Sequence, residues 1–285
     1  MQINKDTILC LSLSARPSNF GTRFHNFLYQ ELGLNFAYKG CAVEDIEGAV
    51  RGIRALGIRG SAVSMPHKET VMKFLDEIDA EAATIGAVNT IVNEAVMPTP
   101  PSKVGVIAET FEQRPKLKGY NTDFLACANL FAPIDKSLPT VLLGSGGMAK
   151  AIAHALEVKN FASVTIVSRN ESAGRGLADK YGFDWSPKVP ENARFLINAT
   201  PIGMAPDPGT SVPFSDDVIE RADLVMDSVA SPSETGLIKR ARAMKKKVIT
   251  GFDIVSLQAV EQFRLYTGVS LPETLFMKAA DWART

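Results

Sequence analysis

The chain alternates between two hydrophobic rhythms. Short apolar runs, many of them β-branched, lie near residues 8–13, 35–40, 59–64 and 88–92. Others lie near 140–143, 163–167, 194–198, 223–227 and 247–250. Their length and the turn formers around them mark them as strands. Between the first few, apolar residues recur at helical spacing near 22–32, 44–56 and 69–77. Another helix is expected after Asn121-Thr122, with Asp123 as its N-cap. After Gly251 the helical period returns, with Val255, Ala259, Gln262, Phe263 and Tyr266 on one face. Leu271-Pro272 opens a last helix. The stretch near 93–118 is rich in turn formers, lacks a period and reads as an irregular excursion. Such alternation predicts an α/β protein with mainly parallel sheets.

One turn carries most of the chemical information. Thr140-Val141-Leu142-Leu143 runs into Gly144-Ser145-Gly146-Gly147-Met148-Ala149, the G-x-G-x-x-A form of the dinucleotide fingerprint between a strand and a helix. Gly144 permits the tight turn, Gly146 lets a pyrophosphate approach the backbone, and Ala149 allows close helix packing. The first helical N–H groups, together with the helix dipole, favour the phosphate charge. The next strand ends in Ser168-Arg169-Asn170, with Arg175 nearby. A free ribose 2′-hydroxyl usually meets an acidic residue at this place, whereas a guanidinium suits a 2′-phosphate. Arg169 therefore favours NADP over NAD, although Glu171 lies close enough to neutralise it.

Composition narrows the class. The 285 residues are enough for two modest domains, and 46% hydrophobic with 22% charged residues fits a globular enzyme. Lys plus Arg equals Asp plus Glu, at 31 each, so no basic surface for nucleic acid is expected. No apolar run reaches membrane-spanning length, and the N-terminus lacks a signal-peptide pattern. The three cysteines are scattered and form no metal-ligand spacing with the three histidines, which implies a reducing cytoplasm and no metal site. The expected organisation is a substrate domain, residues 1–123 and 252–285, with an NADP-binding Rossmann domain, 124–251, inserted in it. A cleft between them would bind the substrate. A monomer or a homodimer is expected.

Oxidising an alcohol requires a hydride acceptor, a base for the hydroxyl proton, and polar anchors. In Gly60-Ser61-Ala62-Val63-Ser64-Met65-Pro66-His67-Lys68 a strand ends and Lys68 stands at the expected start of a helix, where the dipole favours its neutral form. Asn89 and Thr90 are expected on a strand.

In chain order stand Pro66-His67-Lys68, Ile85-Gly86-Ala87-Val88-Asn89-Thr90, Tyr120-Asn121-Thr122-Asp123, the Gly144 turn, Asn198-Ala199-Thr200-Pro201-Ile202-Gly203-Met204, and Gly251 followed by Gln258. This ordered set resembles the shikimate dehydrogenase family, from about residue 10 to residue 275. The resemblance implies a two-domain enzyme that interconverts shikimate and 3-dehydroshikimate with NADP. It also implies Lys68 and Asp123 as the catalytic pair, Asn89, Gln258 and Ser64 as substrate anchors, and Thr200 and Met204 on the nicotinamide side. The chain departs from the family pattern in three places. The family's Ser-x-Ser pair, which grips the substrate carboxylate, falls on Asn19 and Gly21 when counted back from His25, so Ser14, Asn19 and Thr22 are the candidate donors. Ala62 replaces a family Asn. After Asp227, Ser228-Val229-Ala230 replaces a segment that bears a Tyr. The leading expectation is an NADP-dependent shikimate dehydrogenase with altered substrate gripping. The alternatives are a dehydrogenase of a related cyclitol acid such as quinate, a methylenetetrahydrofolate dehydrogenase, against which the Asp123 motif and the Gln258 spacing argue, and a non-enzymatic nucleotide-sensing module.

Overall fold

The computed structural model describes residues 3–96, 116–205 and 211–284. The chain divides into two units, Met1–Thr122 with Ala259–Thr285, and Asp123–Gln258. The second division falls inside one helix, α9 (Gly251–Thr267).

In the first unit, β1 (Ile8–Ser14), β2 (Phe36–Ala42), β3 (Gly60–Val63), β4 (Glu77–Ile78), β5 (Thr90–Asn93) and β6 (Leu117–Tyr120) form one sheet, in the order β2-β1-β3-β5-β6-β4. Strand β1 is parallel to β2 and β3, while β5 runs antiparallel to β3 and β6. Parallel neighbours need crossovers, here α1 (Phe20–Glu31) and α2 (Ile46–Ala55). Helix α2 buries Ile46, Val50 and Ile53, spaced at helical period, and the Asp45 carboxylate caps its start by accepting from Gly48 N at 2.8 Å. That stripe joins Leu13, Val63, Val88, Ile91 and Leu117 in one apolar cluster. Helix α1 contributes aromatic packing. His25 stacks on Tyr38, ring centroids 4.4 Å apart and planes 13° apart, beside Phe263 and Tyr266 of α9. The buried Arg59 guanidinium donates to the Tyr266, Leu265 and Asn93 carbonyls and so ties α9 to the sheet. Helix α10 (Glu273–Arg284) packs on α1.

The second unit is a doubly wound sheet of β7 (Thr140–Leu143), β8 (Val164–Val167), β9 (Asp184–Ser186), β10 (Phe195–Asn198), β11 (Leu224–Asp227) and β12 (Lys247–Ile249). Its order is β12-β11-β10-β7-β8-β9, and every pair is parallel. The order reverses at β7, which makes the β7/β10 boundary the switch point where such sheets bind ligands. Strand residues Val141, Leu142, Phe195, Leu196, Ile197, Val225 and Met226 are at most 1% exposed, as expected of strands covered on both faces. Helices α4 (Thr122–Phe131), α5 (Gly147–Val158), α6 (Glu171–Tyr181), α7 (Asp216–Arg221) and α8 (Gly236–Ala243) complete the alternation.

Several local expectations change. The helix expected over 69–77 is a 3₁₀ turn, Thr70–Phe74, followed by edge strand β4. The cause is Asp76, whose carboxylate accepts from Leu117 N at 2.7 Å and Arg54 Nη1 at 2.6 Å and draws the chain alongside β6. The irregular stretch 93–118 contributes the end of β5 and the start of β6, while residues 97–115 lie outside the described residues. A short helix, α3 (Ala80–Ile85), lies in a segment with no expected helix. The Asp79 carboxylate caps its start, accepting from Glu81 N, and a left-handed Gly86 ends it. Strand β9 was also unforeseen, because three residues around Trp185 show no alternation.

Candidate active site

Backbone pairing gathers one set of predicted residues at one edge of the first sheet. Ser14 ends β1, and Ser64 follows β3, its N–H donating to Leu13 O at 2.9 Å. Asn89 precedes the antiparallel β5, and its carbonyl takes the Val63 N–H at 2.7 Å. Lys68, half-buried, lies beside Asn89, since its carbonyl accepts from Val88 N at 2.8 Å. His67, buried next to it, pairs a ring nitrogen with Val43 O at 2.8 Å. Only one 3₁₀ turn follows Lys68, so the helix dipole invoked for it has no α-helix to arise from.

The donors expected for a carboxylate differ in character. The Ser14 hydroxyl is buried and has no hydrogen-bond partner among the described residues. A buried polar group left in that state is costly unless a ligand or water completes it. Asn19 is exposed at the N-cap of α1 and makes no side-chain capping bond. Thr22 Oγ1 accepts from Gly40 N at 3.1 Å, so this hydroxyl also anchors α1 to β2.

Asn89 is the most constrained of these residues. At 1% exposure, its Oδ1 accepts from Thr122 N at 2.8 Å, Thr122 Oγ1 at 3.1 Å and Thr90 Oγ1 at 2.9 Å. Helix α4 starts at Thr122, which corrects the capping expectation: Asp123 sits in its first turn, not at the N-cap. Asn121, the residue before the helix, donates its Nδ2 to Ala87 O at 2.9 Å. Gln258 is half-buried on α9. Gln262, one turn later, lies buried on the face its spacing implied, but as a polar member of it. It is 2% exposed and donates to Thr90 Oγ1 at 3.0 Å.

At the carboxyl edge of the second sheet lie the residues expected to face a dinucleotide. Gly144 follows β7 with φ +126°, in the region that favours glycine, and a Cβ there would lie 3.1 Å from Ala199 O. Gly146 is different. Its φ is ordinary, at −83°, and a Cβ would meet nothing within 4 Å. Open space at Gly146, with no side-chain cap and no acidic residue in the first turn of α5, fits a phosphate at the helix N-terminus. Ser145, Gly147 and Met148 complete this turn.

After β8, two polar residues fasten the turn around a third. Ser168 Oγ donates to Asn170 O at 2.8 Å and accepts from Trp185 Nε1 at 3.3 Å, and Asn170 Oδ1 caps α6 by accepting from Ala173 N at 3.0 Å. Arg169, between them, is exposed. Glu171 does not neutralise it as the spacing allowed. It pairs with Arg175 at 2.8 Å, and that guanidinium lies 4.2 Å over the Trp185 ring. A polar turn after β8 that presents Arg169 fits a 2′-phosphate.

After β10, the Thr200–Met204 turn rests on a buried network that the motif alone did not reveal. Asn198 Oδ1 accepts from Thr200 N at 3.0 Å and Thr200 Oγ1 at 2.6 Å, while its Nδ2 donates to Asp227 at 2.9 Å. Asp227 also accepts from Thr235 Oγ1 at 2.6 Å and Val229 N at 3.1 Å. Burial pushes the Asp227 carboxyl up, against these three bonds. The available signal was two apolar strands, β10 and β11, each ending in a polar residue at the same register. Gly251 serves packing, since a Cβ there would lie 2.3 Å from the Val229 carbonyl. Among the described residues no group of acidic, His or Cys side chains could hold a metal.

Residues 19–91 match the family model of the shikimate dehydrogenase substrate binding domain. A shikimate dehydrogenase-like protein of Haemophilus influenzae is 44% identical, covering 99% of each chain. The NADP(+) shikimate dehydrogenase of Caldanaerobacter subterraneus subsp. tengcongensis is 35% identical over 86% of this chain and 85% of its own. The crystal structure of Thermus thermophilus shikimate 5-dehydrogenase with NADP(H) and shikimate superposes with a TM-score of 0.80, at 26% identity, covering 97% of this chain and 99% of that one. On identity that runs across nearly its whole length, the chain belongs to the shikimate dehydrogenase family.

Proposed function

We propose that this protein is an NADP-dependent dehydrogenase that interconverts shikimate and 3-dehydroshikimate. The observation that carries the reading is the second sheet: its switch point bears an open, uncapped Gly146 turn, and the neighbouring strand end presents Arg169. In this reading Gly144 to Met148 hold the pyrophosphate. Ser168, Arg169 and Asn170 form the turn that receives the 2′-phosphate, and Thr200 and Met204 border the nicotinamide. Gly251, packed against the Val229 carbonyl, belongs to the same cofactor-binding set. NADP, when bound, supplies the acceptor for the hydride. Lys68 takes the proton of the reacting hydroxyl in one direction and returns it in the other. Asp123 keeps the ammonium oriented, and Asn89, Ser64 and Gln258 hold the ring hydroxyls. Ser14, Asn19 and Thr22 grip the carboxylate with neutral donors only, a weaker hold than a guanidinium would give.

That grip also favours a second reading, a dehydrogenase of quinate or another cyclitol acid, because the Ser-x-Ser spacing before His25 differs from the family pattern. One experiment separates the readings. The purified protein is given NADP or NAD with a panel of cyclic hydroxy acids, and reduced nicotinamide is followed by absorbance. The largest kcat/KM with shikimate and NADP is expected. A larger value with quinate selects the second reading. Cofactor binding without turnover of any acid makes the protein a nucleotide-sensing module.

A further inference from the structure

Gln262 is a carboxamide buried on a helix face whose other members are apolar. Burying such a group is unfavourable unless its polar ends are bonded. Its Nε2 donates to Thr90 Oγ1 at 3.0 Å, and Thr90 donates in turn to Asn89 Oδ1 at 2.9 Å. The directions follow from chemistry. A backbone N–H only donates, so the end of the Asn89 amide that meets Thr122 N is its oxygen. A hydroxyl has one proton. With Gln262 supplying a donor to the Thr90 oxygen, the Thr90 and Thr122 protons are both available to Asn89 Oδ1.

We propose that Gln262 is a positioning residue for substrate recognition. Through Thr90 it completes the set of three donors on the Asn89 carboxamide oxygen and so steadies the amide in place. The inference rests on Asn89 being a substrate anchor in the reaction proposed above. An amide held this way selects an acceptor oxygen on a cyclic hydroxy acid. Without the Gln262 donor, the Thr90 oxygen can draw the Thr122 hydroxyl proton across 3.1 Å, and Asn89 Oδ1 loses one of its three donors.

Gln262→Met keeps the length of the side chain and removes the donor. It is expected to raise the KM of the acid oxidised by the parent about threefold to tenfold, as loss of a neutral hydrogen bond would. The kcat should stay within about twofold, because the contact is equal in ground and transition states. The KM for NADP should not move. Asn89→Asp keeps acceptor oxygens for Thr90 and Thr122 but lacks the N–H₂ end, so adding Gln262→Met to it should raise KM no further. Parent-like kinetics in Gln262→Met, an equal rise in the NADP KM, or additive effects in the double variant would each overturn the proposal. If Asn89→Asp does not fold, the split between substrate KM and NADP KM in Gln262→Met decides alone. If the parent turns over none of the acids, the proposed reaction fails by itself. The side-chain amide resonances of Asn89 then test the positioning: a shift in Gln262→Met supports it, and unmoved resonances overturn it.

Discussion

At the residue scale, adjacent side chains have separate duties. Ser168 and Asn170 spend their hydrogen bonds on the turn after β8, and this leaves Arg169 exposed between them. Arg169→Ala should therefore weaken NADP more than NAD, by roughly 10–150-fold, the range for a hydrogen bond to a charged group. Titrating both cofactors checks it, and equal losses would show that Arg169 does not read the 2′-phosphate. Lys68→Ala and Asp123→Ala should each lower turnover by roughly 10²–10⁴, the usual contribution of a general acid–base group. A near-normal kcat in either variant removes that residue from the proton-transfer step. Circular dichroism should stay at the parent level for both, which separates lost chemistry from lost fold.

At the element scale, two glycines that look alike in sequence predict opposite outcomes. A Cβ on Gly60 of β3 would lie 2.2 Å from Cδ1 of Tyr266, a ring with no exposed surface in which to move. Gly60→Ala should destabilise the fold by about 1–3 kcal/mol, the usual effect of overpacking, measured as a lower midpoint in urea. Gly146 at the start of α5 has open space where a Cβ would stand. Gly146→Ala should leave that midpoint unchanged and weaken NADP at least roughly tenfold, equivalent to about 1.4 kcal/mol. If Gly146→Ala binds NADP like the parent, the open space is not the pyrophosphate site.

At the scale of the whole molecule, the first unit carries a titratable group inside its aromatic core. His25 has no exposed surface, and burial pushes its imidazole down to about 3, opposed by a contact with the Gln262 amide. The folded value lies below the ordinary 6.5. Between the two values the unfolded chain binds the proton that the folded chain refuses, so stability falls as pH drops through this window and is fully present above it. The slope reaches at most about 1.4 kcal/mol per pH unit for one such group. The nearby Cys10 thiol, pushed up to about 12 by burial, stays neutral throughout. His25→Phe keeps a flat ring against Tyr38 and removes the proton site. Urea unfolding between about pH 4 and pH 7 should then show a shallower acid loss than in the parent. An unchanged slope would assign the acid sensitivity to other groups.

Much of this protein can be read along its chain. The fingerprint at Gly144, the Arg at the end of the next strand and the alternation of strands with helices are local patterns. Each follows from properties that a few neighbouring residues have by themselves: a backbone without Cβ, a charge at a strand end, a period of two or 3.6. The tertiary structure decided what depends on partners distant in sequence. Residues 69–77 have the helical period, yet Asp76 is drawn to Leu117, 41 positions away, and an edge strand results. Gln262 lies in an apolar stripe until Thr90, 172 positions earlier, gives it a bond. Asn198 and Asp227 look like two ordinary strand ends until sheet register brings them together. A hydrogen bond needs both of its groups in place, and only the fold brings such distant pairs within reach.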